Sequence, residues 1–292
     1  GWPDPNTADL TDAANADAIK SSLLYSVTTM HTLFNITNTM ILIWFIPQIE
    51  KIVSWIIPQK AEKEVFRLKY IQGGPLSTAE LSLDEAEQEI VHFSEICYNG
   101  FGYMRQAINE KDPVKFGELR EKLIKYEAIT DRIEYEIADY LNEVSKGEIS
   151  SSSAVRINGM YKIIGELESI GDSGDAIGRI LARRNEHGLS FDEQQLKRLG
   201  RMCDLLDDAF KAMTNNLKVP YTSLKDITNA QDAEYNINEC RNTLREEHII
   251  NIEENSSYNY QVGVFYMDIV AELEKMGDFM INVSEAKIAE NG

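Results

Sequence analysis

Two heptapeptides constrain this chain more than any other feature. Glu166-Leu167-Glu168-Ser169-Ile170-Gly171-Asp172 and Glu272-Leu273-Glu274-Lys275-Met276-Gly277-Asp278 share Glu, Leu, Glu, Gly and Asp in the same order, 106 residues apart. Repetition at a long fixed offset is the mark of a duplicated structural unit. Both copies sit deep inside helix-periodic segments. In the first, Met160, Ile163, Ile164, Leu167, Gly171 and Gly178 fall on one stripe at helical spacing. Glu168 and Asp172 are i and i+4, so their carboxylates stack on one face at the edge of that stripe. Two like charges at this spacing cost a helix a few tenths of a kcal/mol. A solvated helix edge is the plain reading of one such pair. A pair kept in both copies points to something that relieves it, and a hard cation can, because it takes oxygen from several carboxylates at once.

Breakers and caps divide the rest. Residues 1–20 are small, polar and acidic. From Ser21 to Ile49 no formally charged residue occurs apart from a possible His31, and the run ends in Met40-Ile41-Leu42-Ile43-Trp44-Phe45-Ile46. It is long enough in helix to cross a bilayer, which takes roughly 20 residues. Asn35, Asn38 and several threonines lie inside it, and Pro47 interrupts its end. A buried helical hairpin is the alternative. Trp44 and Trp55 at belt positions, and Lys51, Lys60, Lys63, Arg67 and Lys69 after the run, favour a membrane segment. By the positive-inside rule, residues after about 50 are then cytoplasmic, at the inner (plasma) membrane. No basic leader followed by an apolar core stands at the start, so no signal peptide is expected.

Gly73, Gly74 and Pro75 mark a linker. Six helical segments follow: from Ser82 (read as an N-cap) to about Asn109, Pro113 to about Ser145, Ala154 to Asn185, a segment capped by Ser190–Glu193 and running to Leu217, Leu224 to Asn255, and Tyr258 to Ala289. No stretch alternates as a strand does. The expected fold is therefore all-α: a membrane-type segment and linker over 1–75, then two tandem antiparallel three-helix bundles over 76–292, with halves at about 82–188 and 189–290. The same offset places Cys97 on Cys203.

On the third helix of each half, "ELESIGD" and "ELEKMGD" resemble the Glu-Arg-x-Gly-Asp signature of PhoU-type domains, with Ser169 and Lys275 where that family has Arg. The family's second-helix motif is matched by Glu127-Ala-Ile-Thr-Asp131. In the second half, Gln231-Asp232-Ala233-Glu234-Tyr235-Asn236 leaves the register open by one residue. In PhoU-type domains such pairs bind metal clusters, typically iron or zinc. The resemblance implies one site from Glu127, Asp131, Glu168 and Asp172 and another from Glu274 and Asp278 with Asp232. Glu166 and Glu272 turn away from these pairs and read as structural. Residues 31–53 are similar to the last membrane helix of type II sodium-dependent phosphate cotransporters, some of which carry a PhoU-type domain. That resemblance implies the C-terminal region of a sodium:phosphate symporter. Its partners would be an upstream membrane domain of the same transporter, phosphate and sodium through that domain, and a second copy in a homo-oligomer. The alternative is a free-standing PhoU-like adaptor without transport activity.

Other classes are disfavoured. A net charge of −19 opposes nucleic-acid binding, which needs Lys and Arg against phosphates. Cys97, Cys203 and Cys240 form no Cys-x-x-Cys pair and read as buried, reduced thiols. His31, His92, His187 and His248 give no Glu-x-x-His pair of the kind that di-metal oxidases use. Neither a phosphate loop nor a nucleophile motif occurs, so no enzymatic activity is expected.

Overall fold

Local chemistry sets the helix starts. Thr78 caps the first bundle helix, its side chain accepting from the Leu81 amide. Asp112 caps the second with Pro113 at the first turn, and Ser150 caps the third. Asp192 and Gln195 form a reciprocal capping box on the fourth. The structure, a computed structural model, describes residues 13–56, 68–76, 78–221, 223–254 and 259–289. Among them are α1 (Ala13–Ile56), α2 (Ala79–Asn109), α3 (Pro113–Ser145), α4 (Ser151–Glu186), α5 (Glu193–Lys218), α6 (Thr228–Glu254) and α7 (Tyr260–Ala289), and no strand.

The chain divides into two units, Gly1–Val65 and Phe66–Gly292. In the first, α1 leaves large apolar side chains open, among them Leu24, Met30, Phe34 and Met40. Among the described residues no helix is long and apolar enough to cross a membrane, which corrects the reading of Ser21–Ile49 as a membrane segment. The polar residues explain the difference. Thr28, Thr32 and Asn35 dilute the run, and both threonine hydroxyls fold back onto carbonyls of their own helix, those of Leu24 and Thr28. The side chains of Trp44 and Trp55 and the basic residues Lys51, Lys60, Lys63 and Arg67 lie outside the described residues.

In the second unit α2, α3 and α4 pack mutually, as do α5, α6 and α7. The halves join chiefly through α4 against α7, with α2 against α5. One apolar core runs through both, from Phe93 and Leu141 to Phe210 and Leu273. Cys97, Cys203 and Cys240 are free and buried in it. Ser82 is not the cap of α2. It is buried one turn inside, its hydroxyl donating to the Thr78 carbonyl and accepting from the Leu76 amide. Glu89, fully buried, accepts from the amides of Tyr70 and Ile71 through Oε2, so the segment before Gly73 is fastened to α2.

Candidate metal centre

The glycine of the repeated heptapeptide sets the spacing of the site. A Cβ on Gly171 would lie 2.3 Å from Thr130 Oγ1 and 3.0 Å from Thr130 Cβ. Only a glycine lets α4 approach α3 this closely. Thr130 is buried, and its hydroxyl donates to the Glu127 carbonyl one turn back. The contact brings the outer edge of α3, with Glu127 and Asp131, beside Asp172 on α4.

There the carboxylates converge. Glu127, Asp131 and Asp172 each offer an oxygen within 4.8 Å of the others. None of the three takes part in an ion pair among the described residues. The nearby arginines Arg120 and Arg179 are both engaged by Asp175, one turn beyond Asp172. The crowding appears in the proton affinities. Burial, then Asp131, Asp175 and Asp172, hold Glu127 above the usual carboxylate range, against Arg179. Burial, Asp131 and Asp175 do the same to Asp172, again against Arg179. Glu168 is pushed up to about 7, mainly by burial and by Asp172, while the Ser169 hydroxyl opposes the shift. The structure thus draws together three of the four expected first-half ligands. Glu168 stands outside the cluster but within its field.

The residues fit a cation. The donors are all oxygen, they come from two helices, and their mutual repulsion has no built-in counter-ion, which suits a hard divalent ion.

The second half keeps the scaffold and changes the charges. A Cβ on Gly277 would meet Ile237 at 2.9 Å, so Ile237 takes the place of Thr130. Counting from that contact, Glu234 corresponds to Glu127 and Asn238 to Asp131. This settles the register, with α6 offset from α3 by 107 residues and α7 from α4 by 106. Asp232 is exposed and two residues out of place, so the expectation that it joins Glu274 and Asp278 is corrected. Asn238 donates to Glu234 at 2.7 Å. Arg241, which corresponds to Glu134, forms an ion pair with Glu274. Asp278 is raised by burial, Glu274 and Glu234, and lowered by Arg241. A neutral amide and a guanidinium therefore occupy two positions that are acidic in the first half, and these residues do not fit a second metal site. Among the described residues only the first-half cluster has ligand spacing.

Glu166 accepts from Asn282 of α7, and Glu272 pairs with Lys275, in keeping with their structural reading. Sequence reasoning left Glu234 as an open alternative to Asp232 and missed Asn238 and Arg241. A one-residue slip between the repeats of the second and third helices was the signal that could have found them.

Comparison with known proteins agrees with this architecture. Residues 90–181 match the family model described as the PhoU domain. The phosphate transport system regulatory protein PhoU from Streptococcus pneumoniae superposes with a TM-score of 0.57 at 17% identity, covering 73% of this chain and 96% of that one. The bundle has the PhoU fold. PhoU from Pseudomonas aeruginosa gives a TM-score of 0.56 at 16% identity, over 72% of this chain and 97% of that one. No curated protein sequence matches the chain. The PhoU domain match lies wholly in the first half, the half that carries the complete carboxylate set.

Proposed function

We propose that residues 66–292 form a PhoU-like regulatory domain that acts on a phosphate transport system, with a divalent cation held by Glu127, Asp131 and Asp172. The observation that carries this reading is the converging, uncompensated carboxylate triad on a PhoU-like bundle. Bound there, the cation would neutralise the α3–α4 edge and fix the two helices in register, while Glu168 draws near as a further donor. Oxygen donors suit magnesium, calcium or manganese, and iron or zinc as the family resemblance suggests. The role is regulatory and not catalytic, and the partner is a component of the transport system it controls. Titration of chelator-treated protein with divalent ions tests this. Saturable binding lost in Asp172→Asn supports it, and no binding by any of these ions sinks the metal half of the proposal.

A free-standing domain fits these observations better than a transporter fusion. One feature keeps the fusion in play as a second reading: α1 carries apolar side chains in the open. On that reading the chain is the C-terminal region of a sodium:phosphate symporter. Full-length chain that stays monodisperse without detergent favours the free-standing adaptor; aggregation relieved by detergent favours the fusion.

A further inference from the structure

Of the two buried cations among the described residues, Lys287 is paired with Glu87, while Arg184 has no carboxylate partner there. Arg184 is 5% exposed. Its Nε and Nη2 both donate to Asn185 Oδ1, at 3.1 and 2.7 Å, and its guanidinium lies 4.5 Å from the Phe191 ring centre. Burial alone shifts its proton affinity, downward, with no charged neighbour contributing. Arg156 makes the contrast: it is also drawn out of water, and Asp84 and Glu87 hold it. A guanidinium has five donors, and the single amide oxygen of Asn185 engages two. A cation drawn largely out of water and held by a neutral amide instead of a carboxylate is costly, and the aromatic face and helix C-terminus offset only part of that.

The guanidinium lines a cleft of about 450 Å³ between the α2–α3 and α4–α5 connections. Lys111, Asn185 and Ser190 also line it, and so does one acid, Glu110. Glu110 is already committed, since its Oε1 accepts from the amides of Lys111 and Asp112 at 2.8 Å each. In a chain of net charge −19, this cleft joins two cations and a hydroxyl around one occupied carboxylate. It lies about 18 Å along α4 from Asp172. We propose that the cleft is a binding site for a small oxyanion, with Arg184 as its buried anchor and Lys111 at its mouth. The fork of a guanidinium matches the paired oxygens of phosphate or carboxylate, which a point charge does not. A bound oxyanion would tie together the two connections at the passage from one half to the other.

The test is calorimetric titration of the full chain with inorganic phosphate, in chelator and at matched ionic strength against chloride. Acetate in a second arm separates phosphoryl-type from carboxylate ligands. We expect saturable binding of one oxyanion, weakened at least tenfold in Arg184→Gln and several-fold in Lys111→Ala, and unchanged in Asp172→Asn. Absence of saturable binding of either anion to the wild type overturns the proposal. So does wild-type affinity in Arg184→Gln, and so does loss of binding in Asp172→Asn, which would place the anion on the metal centre instead. Should Arg184→Gln fail to fold, the exposed loop substitution Lys111→Glu decides the matter, because undiminished affinity there refutes the site.

Discussion

The two halves of the bundle use one scaffold for two electrostatic solutions. In each, a glycine on the third helix admits a side chain from the second, Thr130 at Gly171 and Ile237 at Gly277. Around that contact the first half places four acids that take no ion pair among the described residues, with Glu134 nearby. The second half replaces Asp131 by Asn238 and Glu134 by Arg241, and the guanidinium takes Glu274. The backbone arrangement tolerates either a carboxylate cluster that needs an outside cation or a set that carries its own. Close helix approach is thus a property of the repeat, and ligand binding is a property of the residues placed on it.

The largest expected effect follows from the missing counter-ion. Divalent metal at about a hundredfold excess over its dissociation constant should stabilise the wild type by about 2.7 kcal/mol through mass action. Asp172→Asn should lose most of this, and Asp278→Asn, beside Arg241, should lose little. Thermal unfolding with and without metal checks both. Equal losses in the two variants would break the comparison.

Next comes the spacing itself. Gly171→Ala sets a methyl against the buried Thr130 at its Cβ as well as its hydroxyl, so no rotamer change clears the contact. Overpacking of this kind costs about 1–3 kcal/mol, offset by about 1 kcal/mol for alanine over glycine in a helix. At Gly277 the nearest atom is Ile237 Cδ1, the far end of a flexible side chain. Gly277→Ala should therefore be close to neutral or slightly stabilised in denaturant unfolding, while Gly171→Ala should lose up to about 2 kcal/mol. Thr130→Ala should rescue Gly171→Ala in part, and a double-mutant cycle reads that coupling.

Third, the built-in cation can be removed. The Arg241–Glu274 pair is partly buried, with side chains 25% and 17% exposed, so Arg241→Gln should cost about 1–2 kcal/mol, between surface and buried pairs. The same variant should gain stability from metal beyond the wild-type increment, because Glu274 loses its ion pair and Asp278 the cation that opposes its neighbours' charge. A wild-type metal response in Arg241→Gln would show that Arg241 is only a surface ion pair.

Much of this was legible in the sequence, and the failures have physical causes. The all-α bundle followed from periodicity and from caps such as Asp112-Pro113, where a carboxylate and a fixed φ leave little choice. The i, i+4 spacing singled out Glu168 and Asp172, of which only Asp172 joins the cluster, and Glu127 and Asp131 came from the resemblance to PhoU-type domains. Asp232 was misassigned because α6 and α7 keep different offsets from their counterparts, and only the packing of Gly277 on Ile237 fixes the register. Ser82 satisfied the capping pattern, yet burial placed it inside the helix and left Thr78 as the cap. The membrane reading weighed the apolar residues of α1 and gave too little weight to Thr28, Thr32 and Asn35. Arg184 carries no motif at all; what makes it unusual is burial without a carboxylate partner among the described residues.

The smallest effect, and the one most specific to the contrast, is the pH dependence of the metal-free protein. Glu168 is raised from 4.5 to about 7, and Glu127 and Asp172 move in the same direction. A carboxyl with a higher proton affinity folded than unfolded binds more protons in the native state. Its stabilising contribution is therefore complete below pH about 4.5 and is lost as pH rises toward 7. In chelator, wild-type stability should fall across that window. The drop should be modest, because these groups are partly open to solvent and screened. Asp172→Asn removes one of the interacting charges, so it should flatten the slope. Asp278→Asn should flatten it less, since Arg241 already opposes the shift there. Adding divalent metal should reverse the trend, because the ion competes with protons and gains as the carboxylates ionise. Urea midpoints from pH 5 to 8 supply the reading. A slope unaffected by either substitution would mean that the first-half acids are an ordinary solvated edge, and the difference between the halves would then be one of packing alone.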